Sequence, residues 1–227
     1  MEKQLKQMKE EEFVKKLLEG EKDFTFVELN DANLSQHAKK INKFTRKERE
    51  EYNTYFHWGA GKFWDIKTDE YGEKIISIEE LAKKFRLGDN NFYFPIDISH
   101  SVLTNVNGNG LELPYLIGEQ TQFEGGTFEK ANFKHSNLNL SELTRTNFRN
   151  SRFDHANLSR SDIRTSDLRG ADLAYTILDS ASLRSVDIRD ANIDETDLGH
   201  TFLVNVRADP KQIERINQLK EKYPTFK

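Results

Sequence analysis

The chain has 227 residues, with 34 Lys and Arg against 38 Asp and Glu, a formal net charge of −4 and no cysteine. Lack of Cys excludes disulfides, thiolate zinc sites and a cysteine nucleophile, and the mild acidity sets the chain apart from general nucleic-acid binders, which carry a basic excess. Apolar residues make up 36%, too few for a thick globular core, yet 11% aromatic with 16 Phe is too many for a disordered chain.

Residues 2–19 read as a charged helix carrying Leu5, Met8, Phe13, Val14, Leu17 and Leu18 and ended by Gly20, giving an N-terminal helical segment over 1–20. No apolar run near the start suggests a signal peptide and no stretch approaches a membrane span, so a cytoplasmic protein without membrane contact is expected. Over 21–36, Phe24, Leu29 and Leu34 recur at five-residue spacing, and Ala32-Asn33-Leu34-Ser35-Gln36 looks like one unit of a repeat. Two readings stand for this stretch: a short partial coil, or coincidence.

Residues 37–90 break the period and read as a helical insertion. Thr45-Arg46-Lys47-Glu48 and Ser77-Ile78-Glu79-Glu80 fit the capping box, which predicts helices over 46–57 and 78–87. Tyr55, His57, Trp58 and Trp64 surround Gly59-Ala60-Gly61-Lys62 and form a candidate pocket; aromatic residues at helical spacing also suit a plain core. The fragment is no phosphate loop, because Phe63 stands where Ser or Thr is needed. Between 91 and 120, Ile98, Leu103 and Leu113 fit the later frame while Gly108 and Gly118 do not. Asn107-Gly108-Asn109-Gly110 is a turn signal, so an irregular start with a protruding loop is expected there.

From residue 121 to 205 the pattern is strict. Every fifth position, from Phe123 through Phe128, Phe133 and Leu138 to Leu198 and Leu203, is Phe, Leu or Ile at all 17 steps. Only Leu140, Ile177 and Phe202 are of those types elsewhere in the window. Neither a helical nor a strand period gives this contrast. The residue two before each centre is Gly, Ala, Ser or Thr at 16 of the 17 steps, Val186 being the exception. Large and small residues alternating inward fill a narrow interior without voids. The residue just before the centre is mostly Asn or Asp, as at Asn132, Asn147, Asp162 and Asp172, types that bond their own backbone and favour a bend. A chain that bends every five residues and buries one large side chain each time winds into a tube.

The units Ala131-Asn132-Phe133, Ala156-Asn157-Leu158, Ala171-Asp172-Leu173 and Ala191-Asn192-Ile193 resemble the pentapeptide-repeat family consensus, A(D/N)LXX. That resemblance implies a mainly β fold: a right-handed quadrilateral β-helix solenoid with about four repeats per coil. Residues 20 apart then stack, which predicts Phe128 on Phe148, Phe133 on Phe153 and His135 beside His155. After the solenoid, over 206–227, Asp209-Pro210 reads as helix start, with Ile213, Ile216 and Leu219 on one face of a capping helix near Phe202, Val204 and Val206.

Three surface features are candidates for function. Arg149, Arg169 and Arg189 form one column, and Arg164 and Arg184 a second, suited to an anion or an acidic partner; local pairing with Asp167, Asp187 and Asp162 is the bland reading. Tyr175 and Ile177 are a candidate apolar contact, for a homodimer or another partner. No catalytic, cofactor or metal-ligating constellation emerges. The leading expectation is a non-catalytic scaffold for a protein partner of unknown identity. The family resemblance also implies an alternative, DNA mimicry that binds a type II topoisomerase such as DNA gyrase. A ligand-binding or enzymatic site in 37–120 is the third.

Overall fold

The computed structural model describes residues 5–51 and 96–222. The five-residue beat becomes a ladder of parallel bridges. Asp97 pairs with Ile117, Val102 with Gln122 and Asn107 with Thr127, and one bridge follows every five residues up to Asp187 with Arg207. Each partner lies 20 residues on, so four repeats complete one coil. The centres Phe123 to Leu198 are buried, as are the small residues two before them. Phe128 stacks on Phe148 with ring centroids 5.7 Å apart, and Phe133 on Phe153 at 5.1 Å.

The small inward residues do more than leave room. Thr146 Oγ1 donates to the Phe123 carbonyl at 2.7 Å, Ser166 Oγ to Leu143 at 2.6 Å and Thr176 Oγ1 to Phe153 at 2.8 Å. Each hydroxyl thus reaches a centre carbonyl in the coil below, so a polar group is buried without being left unsatisfied. On the outside, the Asn or Asp before each centre accepts from the N–H two residues on, as Asp172 Oδ1 does from Ala174 at 3.2 Å and Asn192 Oδ1 from Asp194 at 3.1 Å. This Asx turn bends the chain at the corners where Asn or Asp precedes the centre.

The second residue of each corner lies in the left-handed region, including Lys130, Arg160 and Thr165 at φ of 59°, 57° and 59°. A β-branched side chain is the costliest choice there. Thr165→Asn is therefore expected to raise stability by about 0.5–1 kcal/mol, read as a higher urea midpoint at unchanged slope.

Three corrections to the sequence reading concern the start of the tube. The stretch expected to be irregular over 91–120 is regular from Asp97 onward, and 107–110 is no protruding loop: Asn107 is a bridge residue in the ladder. Gly108 and Gly118 occupy inward centre positions. A Cβ on Gly108 would lie 2.4 Å from Phe128 Cε1, and one on Gly118 2.8 Å from Leu138 Cδ2. Large side chains of the next coil occupy the space that glycine vacates. Second, the N-terminal helix is confined to α1 (Glu10–Leu18), and β1 (Lys6–Gln7) precedes it. Strand β1 pairs in parallel with β2 (Val27–Glu28), which takes up backbone groups that would otherwise form an open edge. Third, α2 (Ala38–Glu51) starts eight residues before the helix expected at 46–57; the second helix expected in the insertion lies outside the described residues.

Residues 23–33 form part of a coil. Asp23, Glu28 and Asn33 bridge to Asp97, Val102 and Asn107, across a gap of 74 residues. Helix α1 lies against this coil through buried Phe13, Val14 and Leu17, with Phe13 4.5 Å from Phe24. Glu10 ties α1 down by accepting from the Asn33 N–H at 2.6 Å and from the Gln36 amide. Where that coil lacks a backbone partner, α2 supplies side chains: Asn42 Oδ1 accepts from the Glu112 N–H at 2.7 Å, and Asn42 Nδ2 donates to the Gly110 carbonyl at 2.8 Å.

The C-terminal edge is treated in the same way by α3 (Pro210–Lys222). Gln212 Nε2 donates to the carbonyls of Ile188 and Ala191 at 2.6 and 2.7 Å, and Asp209 Oδ2 accepts from the Asp190 N–H at 2.8 Å. The buried positions of α3 are Gln212 and Leu219, with Ile216 packed partly against the core. Ile213 is 51% exposed, Phe202 56% and Val204 43%, so the helix is rotated from the face expected and leaves those two tube residues open. The rotation follows from the polar edge: a glutamine reaches the Ala191 carbonyl, and the Ile188 carbonyl that otherwise accepts only from the Ala191 N–H, which an isoleucine could not do.

Candidate anion-binding face

Corner residues stand on either side of each flat face, and coils repeat at the sheet spacing of about 4.8 Å. That geometry places Arg149, Arg169 and Arg189 in one column, along a groove also lined by Asn150, Gly170, Asp190 and Asp209. Two of the three guanidinium groups are already paired. Arg169 donates through Nε to Asp167 at 2.9 Å, and Arg189 through Nε to Asp187 at 2.9 Å. Arg169 also approaches Asp187 at 3.8 Å. With Asp167, Asp187, Asp190 and Asp209 around three arginines, the groove carries no net positive charge. The local pairing foreseen as the bland reading is present here.

These pairs leave a pH signature. The Arg169 guanidinium, hydrogen-bonded to Asp167, holds that carboxyl below the ordinary aspartate range; burial opposes this, and the Arg169 N–H and the Arg149 charge assist it. Asp187 is lowered in the same way, first by Arg189. A carboxyl depressed on folding contributes stability that is present above its unfolded value, about 3.9, and is lost as pH falls through the folded value. Asp167→Asn should therefore flatten the decline of melting temperature as pH is lowered from about 5 to about 2. Parallel curves for both proteins would rule out this contribution.

The second column is different. Arg164 is bound to Asp162 through Nε at 2.8 Å to both carboxylate oxygens. Arg184 is exposed and makes no ion pair among the described residues. Across the same face stands Arg160, which the sequence reading missed, likewise exposed and without an ion pair among the described residues. Arg160, Arg164 and Arg184 line one depression together with Ser180, Ser182 and Phe202. The signal for Arg160 was present in the repeat: it is the second corner residue flanking the face whose bridge positions are 162, 182 and 202.

Tyr175 ends a column of stacked rings. Tyr115 lies on His135 at 4.9 Å, His135 on His155 at 5.0 Å and His155 on Tyr175 at 4.8 Å. The stack of the two histidines is the one expected from their spacing. Tyr175 remains 49% exposed. Ile177 is half-buried, bridged to Asn157 and Asp197. Tyr55, His57, Trp58 and Trp64 lie outside the described residues.

A family model for pentapeptide repeats matches residues 122–164 and 166–203 in eight copies. Residues 122–203 therefore carry pentapeptide repeats. Their ladder is the right-handed β-helix solenoid that such repeats form. No curated protein matches the chain. Among solved structures, the chain is similar to trypsin-treated QnrB1, a plasmid-mediated fluoroquinolone resistance protein, at 18% identity over 56% of this chain and 64% of that one, with a TM-score of 0.31. It is also similar to a pentapeptide repeat protein from the thylakoid lumen of Arabidopsis thaliana, at 16% identity over 54% and 75% of the two chains, TM-score 0.30. HetL, involved in heterocyst differentiation regulation in Nostoc sp. strain PCC 7120, matches at 14% identity over 89% and 94%, TM-score 0.25. The chain thus spans less than two thirds of the length of the QnrB1 fragment. Among the described residues, no helix is long and apolar enough to cross a membrane.

Proposed function

We propose that this protein is a non-catalytic interaction module whose outer faces dock a protein partner, in keeping with a cysteine-free chain of the cytoplasm. What supports this reading is a tube interior filled by its own side chains, so that variable residues stand in regular outward columns. The face carrying Arg160, Arg164 and Arg184 holds two arginines without an ion pair among the described residues and suits an acidic segment of the partner. Segments α1 with the first coil, and α3, serve as end caps, and the insertion from residue 37 adds specificity. DNA mimicry toward gyrase needs uncompensated acid along the tube; the Asp162, Asp167 and Asp187 pairs with arginine weigh against it.

Affinity capture from native extract tests the proposal. The wild-type protein should retain a partner that the charge-reversed Arg160→Glu/Arg164→Glu/Arg184→Glu protein loses, while Arg149→Ala/Arg169→Ala/Arg189→Ala retains it. Equal retention by the charge-reversed protein would overturn the reading.

A further inference from the structure

The face beside these arginines has a step in it. Its bridge column runs Gln122, Glu142, Asp162, Ser182 and Phe202. Ser182 is the smallest member, so the surface drops by one side chain on the coil that lies between those of Asp162 and Phe202. Arg160 and Ser180 stand on one bank, Arg164 and Arg184 on the other.

The charges around the step are unevenly answered. Arg164 is occupied by Asp162. Asp179, next to Ser180, accepts from the Ser180 hydroxyl at 3.1 Å and faces His200 Nδ1 at 2.8 Å. Arg160 and Arg184, one on each bank, make no ion pair among the described residues, and Ser182 lines the depression with them. A planar carboxylate presents two oxygens in one plane and suits one guanidinium. A tetrahedral phosphate monoester presents three oxygens and two charges, enough for a guanidinium on each side and a hydroxyl beneath. The exposed Phe202 ring forms the upper wall and offers an apolar face to whatever group carries the phosphate.

We propose that the depression over Ser182 is a binding site for a phosphate monoester whose carrier also presents an aromatic ring. This deepens the interaction reading by giving its arginine-lined face a ligand class, and it rests on that reading only for its biological setting. Phosphotyrosine in a partner and a small aryl or nucleoside phosphate share the chemistry.

Phenyl phosphate is the probe, titrated into the isotope-labelled full chain at low ionic strength. Amide shifts should localise to residues 160–164, 180–184 and 202. Arg160→Gln/Arg184→Gln should weaken binding at least tenfold, with an unchanged melting temperature showing that the tube is intact. Phe202→Ser should weaken phenyl phosphate several-fold and leave inorganic phosphate unaffected. Diffuse shifts, or equal affinity in the double variant, would overturn the site; equal binding of phenyl and inorganic phosphate in the wild type would overturn its aromatic half. A phosphotyrosine peptide and a nucleoside monophosphate, competed against the probe, distinguish the two sources. Partner capture without phenyl phosphate binding sinks this site alone; phenyl phosphate binding without partner capture sinks the interaction reading alone.

Discussion

Replacing Phe133 with alanine should lower the unfolding free energy by about 3–5 kcal/mol, the largest effect expected of any single truncation in the tube. Phe133 has no exposed surface and sits among Phe123, Phe128, Phe148 and Phe153, with ring centroids between 5.1 and 6.4 Å away. Removing the ring deletes its transfer free energy and leaves a hole. The hole cannot close readily, because the neighbouring backbones are fixed by the ladder from Asn132 down to Glu112 and up to Arg152. Each coil depends on its neighbours for stability, so the damage should spread to both adjoining coils. Hydrogen exchange should accelerate in the amides of 108–118 and 148–158 as well as at 133. Phe202→Ala, on the surface, is the control and should change stability by no more than about 0.5 kcal/mol. A Phe133→Ala protein as stable as that control would mean the interior is not packed as described.

Leu219→Asp should release α3 from the end of the tube. Leu219 is buried at the far end of the helix, and an ionised carboxylate cannot remain there unpaired. Undocking is the cheaper outcome, since the helix is anchored chiefly by Leu219, Ile216 and the Gln212 amide. Once α3 leaves, the Ala191 carbonyl loses its Gln212 partner, the Ile188 carbonyl keeps only the Ala191 N–H, and the last coil becomes an open strand edge. The expected results are rapid proteolytic clipping within 210–222 and concentration-dependent association by light scattering. The rest of the ladder should keep its far-ultraviolet signature. Ile213→Asp, at an exposed position of the same helix, should do neither. If both variants behave alike, the docking of α3 does not protect the edge.

Much of the solenoid was legible because its interior is one-dimensional. A residue five or 20 positions away meets the same environment, so the inward beat of Phe, Leu and Ile and the small residues between them could be read from spacing, and the Phe and His stacks from spacing together with the four repeats per coil that the family resemblance implies. The errors fall where the period is kept by something other than a large side chain. Gly108 and Gly118 looked like breaks, yet they are centres whose volume Phe128 and Leu138 occupy from the coil above. Small inward Ser and Thr were read as space fillers; their hydrogen bonds to carbonyls 23 residues earlier depend on coil geometry. At the candidate sites, the pairing of Arg169 and Arg189 followed from residues two positions apart. Arg160 escaped notice because it faces Arg184 across a flat face rather than standing above it in a column.

By itself, the order of residues determined the five-residue period, the inward and outward assignment of the repeats and the charge inventory of each face, because these follow from local bends and from which side chains avoid water. Only the tertiary structure decided how the tube ends and where its charge stays unanswered. Asn42 and Gln212 replace missing backbone partners across 68 to 70 and 21 to 24 residues, and Asp23, Glu28 and Asn33 join the ladder across 74. Such contacts obey no period: an unfilled hydrogen-bonding edge is satisfied by whichever side chain the fold brings to it.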